Sequence, residues 1–208
     1  MSSMRILLAT QNQHKVAEIL KIWGEILFEV LTLEAFPGLA AVVEDGTTFT
    51  ENALKKAREV ARQTKLITVS DDSGIEVDGL EGRPGVFSAR YAGEGATDRE
   101  NNEKLIQDLK GFSADSPNRK AHFRCVAALV DPKGFETTVE GVVEGRIIEV
   151  PRGKNGFGYD PLFLIPSEGR TTAELSFKEK NAISHRAKAF QKMKEILFCR
   201  YKTGQYPA

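Results

Sequence analysis

The stretch Leu66-Ile-Thr-Val-Ser-Asp-Asp-Ser-Gly-Ile-Glu-Val-Asp-Gly79 decides how the rest of the chain is understood. An apolar, largely β-branched run from Leu66 to Val69 meets two adjacent aspartates, Asp71 and Asp72. Ser73 and Gly74 follow, and Ile75 and Val77 resume an alternation. The pattern predicts a strand, a sharp turn eased by Gly74, and a second strand. Two carboxylates at the end of a buried strand are costly unless positive charge lies beside them. A divalent cation is one such partner, because hard cations prefer carboxylate oxygens. A solvated turn is the structural explanation, since Asp and Ser are ordinary turn residues. The stretch alone leaves both open.

Upstream, Met4 to Ala9 reads as a first strand, and Thr10-Gln-Asn-Gln-His-Lys15 leads into a helix. Val16, Ile19, Leu20 and Trp23 fall at i, i+3, i+4 and i+7, a stripe facing a core. Asn12 is a good N-cap, which puts Lys15 in the first turn, where the helix dipole disfavours a cation. Exposed N–H groups with a lysine beside them suit a phosphate, although the Gly-rich Walker spacing is missing. Leu27 to Leu33 predicts a second strand, and a helix begins near Thr48. Thr48 and Glu51 make a capping box, with Leu54, Ala57 and Ala61 as its apolar stripe. Glu51 therefore has a structural reason to be present. Glu44, in the polar loop before the cap, has none, and is the better metal-ligand candidate of the two.

Downstream, the Gly- and Pro-rich run Glu81 to Gly93 predicts an ordered loop. Thr97 and Glu100 cap a helix through Leu105, Ile106 and Leu109. Ala121 to Val130 and Phe135 to Val143 read as antiparallel strands around an Asp131-Pro-Lys-Gly134 turn. Pro151 to Pro166 is unlike a strand: Gly153, Gly156 and Gly158 surround Phe157, Tyr159 and Asp160. Two rings and a carboxylate in such a loop suit a flat ligand, or pin the loop to the core. A last helix starts at Ser176 with Glu179 completing a capping box, and Ser184 offers a second start just before His185 and Arg186. Lys180, His185 and Arg186 lie off its apolar stripe.

The chain has 208 residues, enough for one large domain or two small lobes. Its 29 basic residues balance 29 acidic ones, which argues against a general attraction to nucleic acid or to an anionic membrane. No apolar run is long enough to span a bilayer, and a signal-peptide pattern is not expected. Two distant cysteines, Cys125 and Cys199, read as reduced thiols of a cytosolic protein.

Taken together, five pieces resemble the inosine triphosphate pyrophosphatase family, which acts on non-standard purine nucleoside triphosphates. They are Thr10-x-Asn12-x-x-Lys15-x-x-Glu18, Thr48-Phe-x-Glu-Asn-Ala53, Asp71-Asp-Ser-Gly74 with Gly79 to Tyr91, Phe157-Gly-Tyr-Asp-Pro161, and Lys180-Asn-x-x-Ser-His-Arg186. They occur in the family's order over nearly the whole chain, and Gln11 stands where the family often has glycine. The resemblance implies one α/β domain over residues 1–208. This would be an elongated, two-lobed fold around a mixed, twisted sheet with flanking helices and an active site in the cleft. It implies a cytosolic homodimer that hydrolyses ITP, dITP and XTP to the monophosphate and pyrophosphate with Mg2+. Asp72 is then the general base and a metal ligand, and Glu44 the second metal ligand. Thr10, Gln11, Asn12, Gln13, His14 and Lys15 hold the phosphates, and Ser73 contacts substrate. Phe157, Gly158, Tyr159, Asp160, Lys180, His185 and Arg186 surround the nucleotide, with His185 and Arg186 as donors to the purine 6-oxygen. Two alternatives are a Maf-like pyrophosphatase of other base preference and a nucleotide-binding protein without turnover. The Phe157–Asp160 and Ser184–Arg186 stretches argue against the first, and the acidic pair against the second.

Overall fold

The structure is a computed structural model and describes residues 4–201. Seven strands form one mixed sheet in the order β2-β1-β3-β4-β5-β6-β7. β1 (Arg5–Leu8) pairs in parallel with β2 (Glu29–Thr32) and with β3 (Ile67–Val77), whereas β6 (Phe163–Ile165) runs antiparallel to β5 (Glu136–Ile147) and to β7 (Arg170–Thr171). β4 (Lys120–Val130) lies between β3 and β5. Five α-helices accompany the sheet: α1 (Gln13–Trp23), α2 (Phe49–Thr64), α3 (Asp98–Asp108), α4 (Phe177–Ile183) and α5 (His185–Tyr201).

Helix starts fall where capping chemistry puts them. Asn12 caps α1 by accepting from the Lys15 N–H, and reciprocal capping boxes open α2 at Thr48 and Glu51, α3 at Thr97 and Glu100, and α4 at Ser176 and Glu179. Each satisfies N–H groups that a helix end otherwise leaves orphaned. The last helical region is broken at Ser184, so α5 starts at His185.

The turn expected at Ser73-Gly74 does not exist. β3 runs unbroken for 11 residues through both aspartates, every one buried or half-buried. Successive side chains of a strand face opposite ways, so Asp71 and Asp72 enter different surroundings. Cations supplied on each side let the strand continue, and Gly74 is not among the positive-φ glycines of the described residues. Two further differences lie in the first helix and second strand. Leu20 is 42% exposed, while Glu18 on the same helix is buried at 2%. β2 is also shorter than the apolar run suggests.

The described chain divides into two compact units: 4–72, 125–141 and 186–201 in the first, 73–124 and 142–185 in the second. In the first, Ile6 and Leu8 of β1, Val69 of β3, Trp23 of α1 and Phe190 of α5 share a core, and the Trp23 indole donates to the Phe190 carbonyl at 3.0 Å. Leu7 and Ala9 pack with Val60 of α2 instead, so β1 buries residues of both parities, as a parallel strand covered on both faces does. The second core gathers Ile75 and Val77 of β3, Leu105 of α3, Phe123 of β4, and Leu162 and Phe163. No helix of the described residues is long and apolar enough to cross a membrane.

Candidate active site

In the first unit, β1 ends at Leu8, and Ala9 still donates to the Val69 carbonyl at 2.7 Å, tying the loop that follows to β3. That loop turns on its own polar groups: the Asn12 N–H donates to Thr10 Oγ1, and Asn12 Oδ1 caps Lys15 at 3.2 Å. Gln11, Gln13 and His14 are exposed, with Gln13 donating to Glu34. Lys15 turns back over the strand, and its Nζ lies 3.0 Å from Asp71 Oδ2. Arg186, in the first turn of α5, lies 3.7 Å from the same oxygen through Nε and bonds Glu18 of α1 through Nη1. Burial raises the Asp71 pKa, but Lys15, Arg186 and Lys56 overcome it and hold the carboxyl well below the usual range.

Asp72 meets α2 instead. Asn52 Nδ2 donates to Asp72 Oδ2 at 3.0 Å, and Asn52 Oδ1 accepts from the Gly46 N–H at 2.8 Å, which fixes the amide's orientation. A side chain at Gly46 would meet Asn52 Oδ1 at 2.7 Å, so the close approach depends on glycine. Lys56, one turn after Asn52, lies 2.9 Å from Glu44 Oε1 and 4.0 Å from Asp72 Oδ1. Glu44 and Asp72 therefore share one ammonium. Burial, with repulsion from Glu44, raises the Asp72 pKa against the pull of Lys56 and Lys15. Glu51 is consumed by its cap, accepting from Thr47 and Thr48.

Lys15, Lys56 and Arg186 thus face Glu18, Glu44, Asp71 and Asp72, three cations against four carboxylates. Glu44 and Asp72, two carboxylates of hard oxygens on either side of Lys56, fit a divalent cation. The described residues hold no group of three or more His, Cys, Asp or Glu arranged for a metal. Two carboxylates are what Mg2+ uses when substrate phosphates complete its octahedron.

The second unit holds the other group. Asp160 Oδ2 accepts from the Phe157 N–H at 2.9 Å and from Lys180 Nζ at 2.6 Å, and Asp160 Oδ1 accepts from Thr172 Oγ1 at 2.8 Å. Lys180 Nζ stands 4.9 Å from the centre of the half-buried Phe157 ring. Tyr159 is 4% exposed, belongs to the core and donates its hydroxyl to the Ser88 carbonyl at 2.8 Å. Tyr159 thus pins the loop to the core, whereas the Phe157 ring stays half-buried beside Lys180. His185 lies parallel to Phe123, 4.8 Å between ring centres. Asp160 likewise acts on Lys180 and the Phe157 backbone more than outward.

The profile of the Ham1 family matches residues 6–196. The chain belongs to the Ham1 family. A dITP/XTP pyrophosphatase of Geobacter sulfurreducens is 48% identical over 193 residues, spanning 93% of this chain and 96% of the relative. One of Desulforamulus reducens is 47% identical over 194 residues, with the same two shares. Among solved structures, a HAM1 protein from Coxiella burnetii superposes with a TM-score of 0.85 at 44% identity, covering 93% of this chain and 98% of that one.

In this Ham1-family chain, of the residues expected at the phosphates and the metal, Lys15, Glu44 and Asp72 enter one charge cluster in the first unit, while Gln11, Asn12, Gln13 and His14 are exposed on the loop and first turn before it. The expected pair His185 and Arg186 is split, because Arg186 joins Asp71 and Glu18 while His185 stacks on Phe123. Lys56 was not singled out from the sequence, and Asn52 stood within a motif without a role. Their four-residue spacing beside the apolar stripe of α2, both buried, was the available signal. Glu18 stood within a motif but outside any role, and it surfaced only through its pairing with Arg186.

Proposed function

We propose that this chain hydrolyses non-standard purine nucleoside triphosphates, dITP and XTP among them, to the monophosphate and pyrophosphate. The observation that carries the proposal is the environment of Asp72. It is a buried carboxylate of raised pKa, oriented by Asn52 and sharing the Lys56 ammonium with Glu44. A carboxylate poised in this way accepts a proton from water, and the resulting hydroxide equivalent attacks the α-phosphorus while pyrophosphate departs. Lys15 and Lys56 offset charge on the triphosphate, and the N–H groups at the start of α1 donate to its oxygens. Glu44 and Asp72 would hold Mg2+, which when bound neutralises charge on the phosphates and on the departing pyrophosphate.

Phe157 takes the purine face. Lys180, oriented by Asp160, and His185 supply donors to the 6-oxygen that inosine and xanthosine carry. A site with donors so placed rejects the 6-amino group of adenine, by up to ~10⁴-fold. Arg186 is instead taken up by Glu18 and Asp71. The family reading further supports a homodimer, and two unpaired cysteines accord with a reducing compartment. Sedimentation at micromolar protein checks the dimer.

The deciding experiment is a panel of dITP, ITP, XTP, dGTP and ATP with Mg2+, scored for monophosphate and pyrophosphate. Turnover of the first three well above the last two is expected. Release of orthophosphate, or equal turnover of ATP, overturns the proposal.

A further inference from the structure

Asp71 is the most enclosed carboxylate of the cluster, and the reaction above does not use it. Its side chain is fully buried, with Oδ2 3.0 Å from Lys15 Nζ and 3.7 Å from Arg186 Nε. The neighbouring Cys125 thiol, 3.9 Å away, is pushed up by burial and stays protonated, so it adds bulk and not charge. Arg186 also bonds Glu18, and Glu18 stands three residues after Lys15 on α1. Lys15, Asp71, Arg186 and Glu18 therefore close a ring of two cations and two anions that leaves α1 at one residue and returns to it one turn later.

Stability alone does not account for this ring. Buried ion pairs are often no more stabilising than well-packed apolar residues of similar volume. Asp71 Oδ1, moreover, has no hydrogen-bond partner among the described residues, a cost the fold retains. What the ring does, and an apolar filling would not, is fix an ammonium in the first turn of a helix, where the dipole opposes it.

We propose that Asp71 is a positioning residue: with Arg186 and Glu18 it sets α1 and holds the Lys15 ammonium at the point from which it meets the triphosphate. The proposal rests on the phosphate role given to Lys15 above. Asp71 faces Lys15 and Arg186 while Asp72 faces Asn52 and Lys56, so the adjacent carboxylates divide the labour between holding the lysine and performing the chemistry.

The test is a double-mutant cycle between Asp71→Asn and Lys15→Met. It is read as kcat/KM for dITP with Mg2+, with affinity for inorganic tripolyphosphate by calorimetry and melting temperature alongside. Misplacement of a reacting contact by about 1 Å costs on the order of 10²-fold, so Asp71→Asn alone is expected to lower kcat/KM by ~10- to 100-fold. In the Lys15→Met background the same change should alter kcat/KM less than about twofold, although the melting temperature still falls. A full, multiplicative loss in both backgrounds overturns the proposal, because a merely structural aspartate would damage both alike. Should Asp71→Asn fail to fold, Glu18→Gln opens the ring on its far side and goes through the same cycle with the same two outcomes. Failure of the underlying reading looks different: tripolyphosphate affinity unchanged in Lys15→Met removes the lysine's phosphate role, and a wild type inert towards dITP removes the reaction.

Discussion

Two neighbouring aspartates of this chain sit in opposite electrostatic surroundings. Asp71 is held ionised by Lys15 and Arg186 against the effect of burial, whereas burial and Glu44 make ionisation of Asp72 harder. Their neutralisation should act in opposite senses. Asp72→Asn is expected to lower kcat by ~10²–10⁴-fold, the usual range for loss of a general base, while raising the melting temperature. Asp71→Asn leaves Lys15 and Arg186 facing a neutral group and should lower it. A calorimetric scan beside a rate measurement decides both, and a melting temperature that falls in Asp72→Asn would contradict this account. The depressed pKa of Asp71 gives the pH dependence its sign. Its contribution is complete above the unfolded aspartate's pKa of ~3.9 and is lost as pH falls towards the lower, folded value. Asp71→Asn should therefore show a shallower loss of stability on acidification below pH ~4 than wild type, measured by denaturant titration at stepped pH.

Elements carry the side chains to these places, and their ends are where single changes should be felt. Helix α2 presents Asn52 and Lys56 one turn apart, and its start depends on the Thr48–Glu51 box. Thr48→Ala should cost ~1 kcal/mol in urea unfolding, the usual value of an N-cap. The loop before β6 is built on backbone that only glycine adopts easily. Gly156 has φ of +78°, and a Cβ there would lie 1.9 Å from Asp160 Oδ2. Gly156→Ala must therefore push away the carboxylate that holds Lys180 and the Phe157 N–H. Strain of ~1–3 kcal/mol is expected, together with a weaker KM for dITP and little change in affinity for tripolyphosphate. Equal loss of both affinities would show that the loop does not act on the base. The capping boxes were legible in sequence because they are local: a hydroxyl and a carboxylate three residues apart need no partner from elsewhere. The continuity of β3 was not, because Asp-Asp-Ser-Gly is turn chemistry until cations from α1, α2 and α5 are brought to it.

Across the whole molecule, charge is balanced globally and concentrated locally, with 29 cations against 29 anions in the chain and Lys15, Lys56 and Arg186 gathered on the carboxylates of the first unit. The cores are apolar and, among the described residues, no set of three or more metal ligands ties elements together. On the proposed role of Mg2+ at Glu44 and Asp72, chelation is expected to stop turnover while leaving the melting temperature nearly unchanged, as measured by fluorescence-monitored unfolding with EDTA, and re-addition of Mg2+ should restore the rate. A structural metal would instead make folding itself depend on the ion.

Helix and strand periods and capping pairs marked the local elements, while the α/β fold and the nomination of Glu44 and Asp72 came from the resemblance that five spaced motifs carry. Each of these signals lies within a dozen or so residues, where spacing alone sets which side chains share a face. The pairing of Arg186 with Glu18, 168 residues apart, the Lys56 ammonium between Glu44 and Asp72, and the burial of Tyr159 were decided only by the tertiary structure. A buried charge is tolerated only where its counter-charge arrives. Which distant residue supplies that counter-charge depends on how sheet and helices pack, and no local period encodes it.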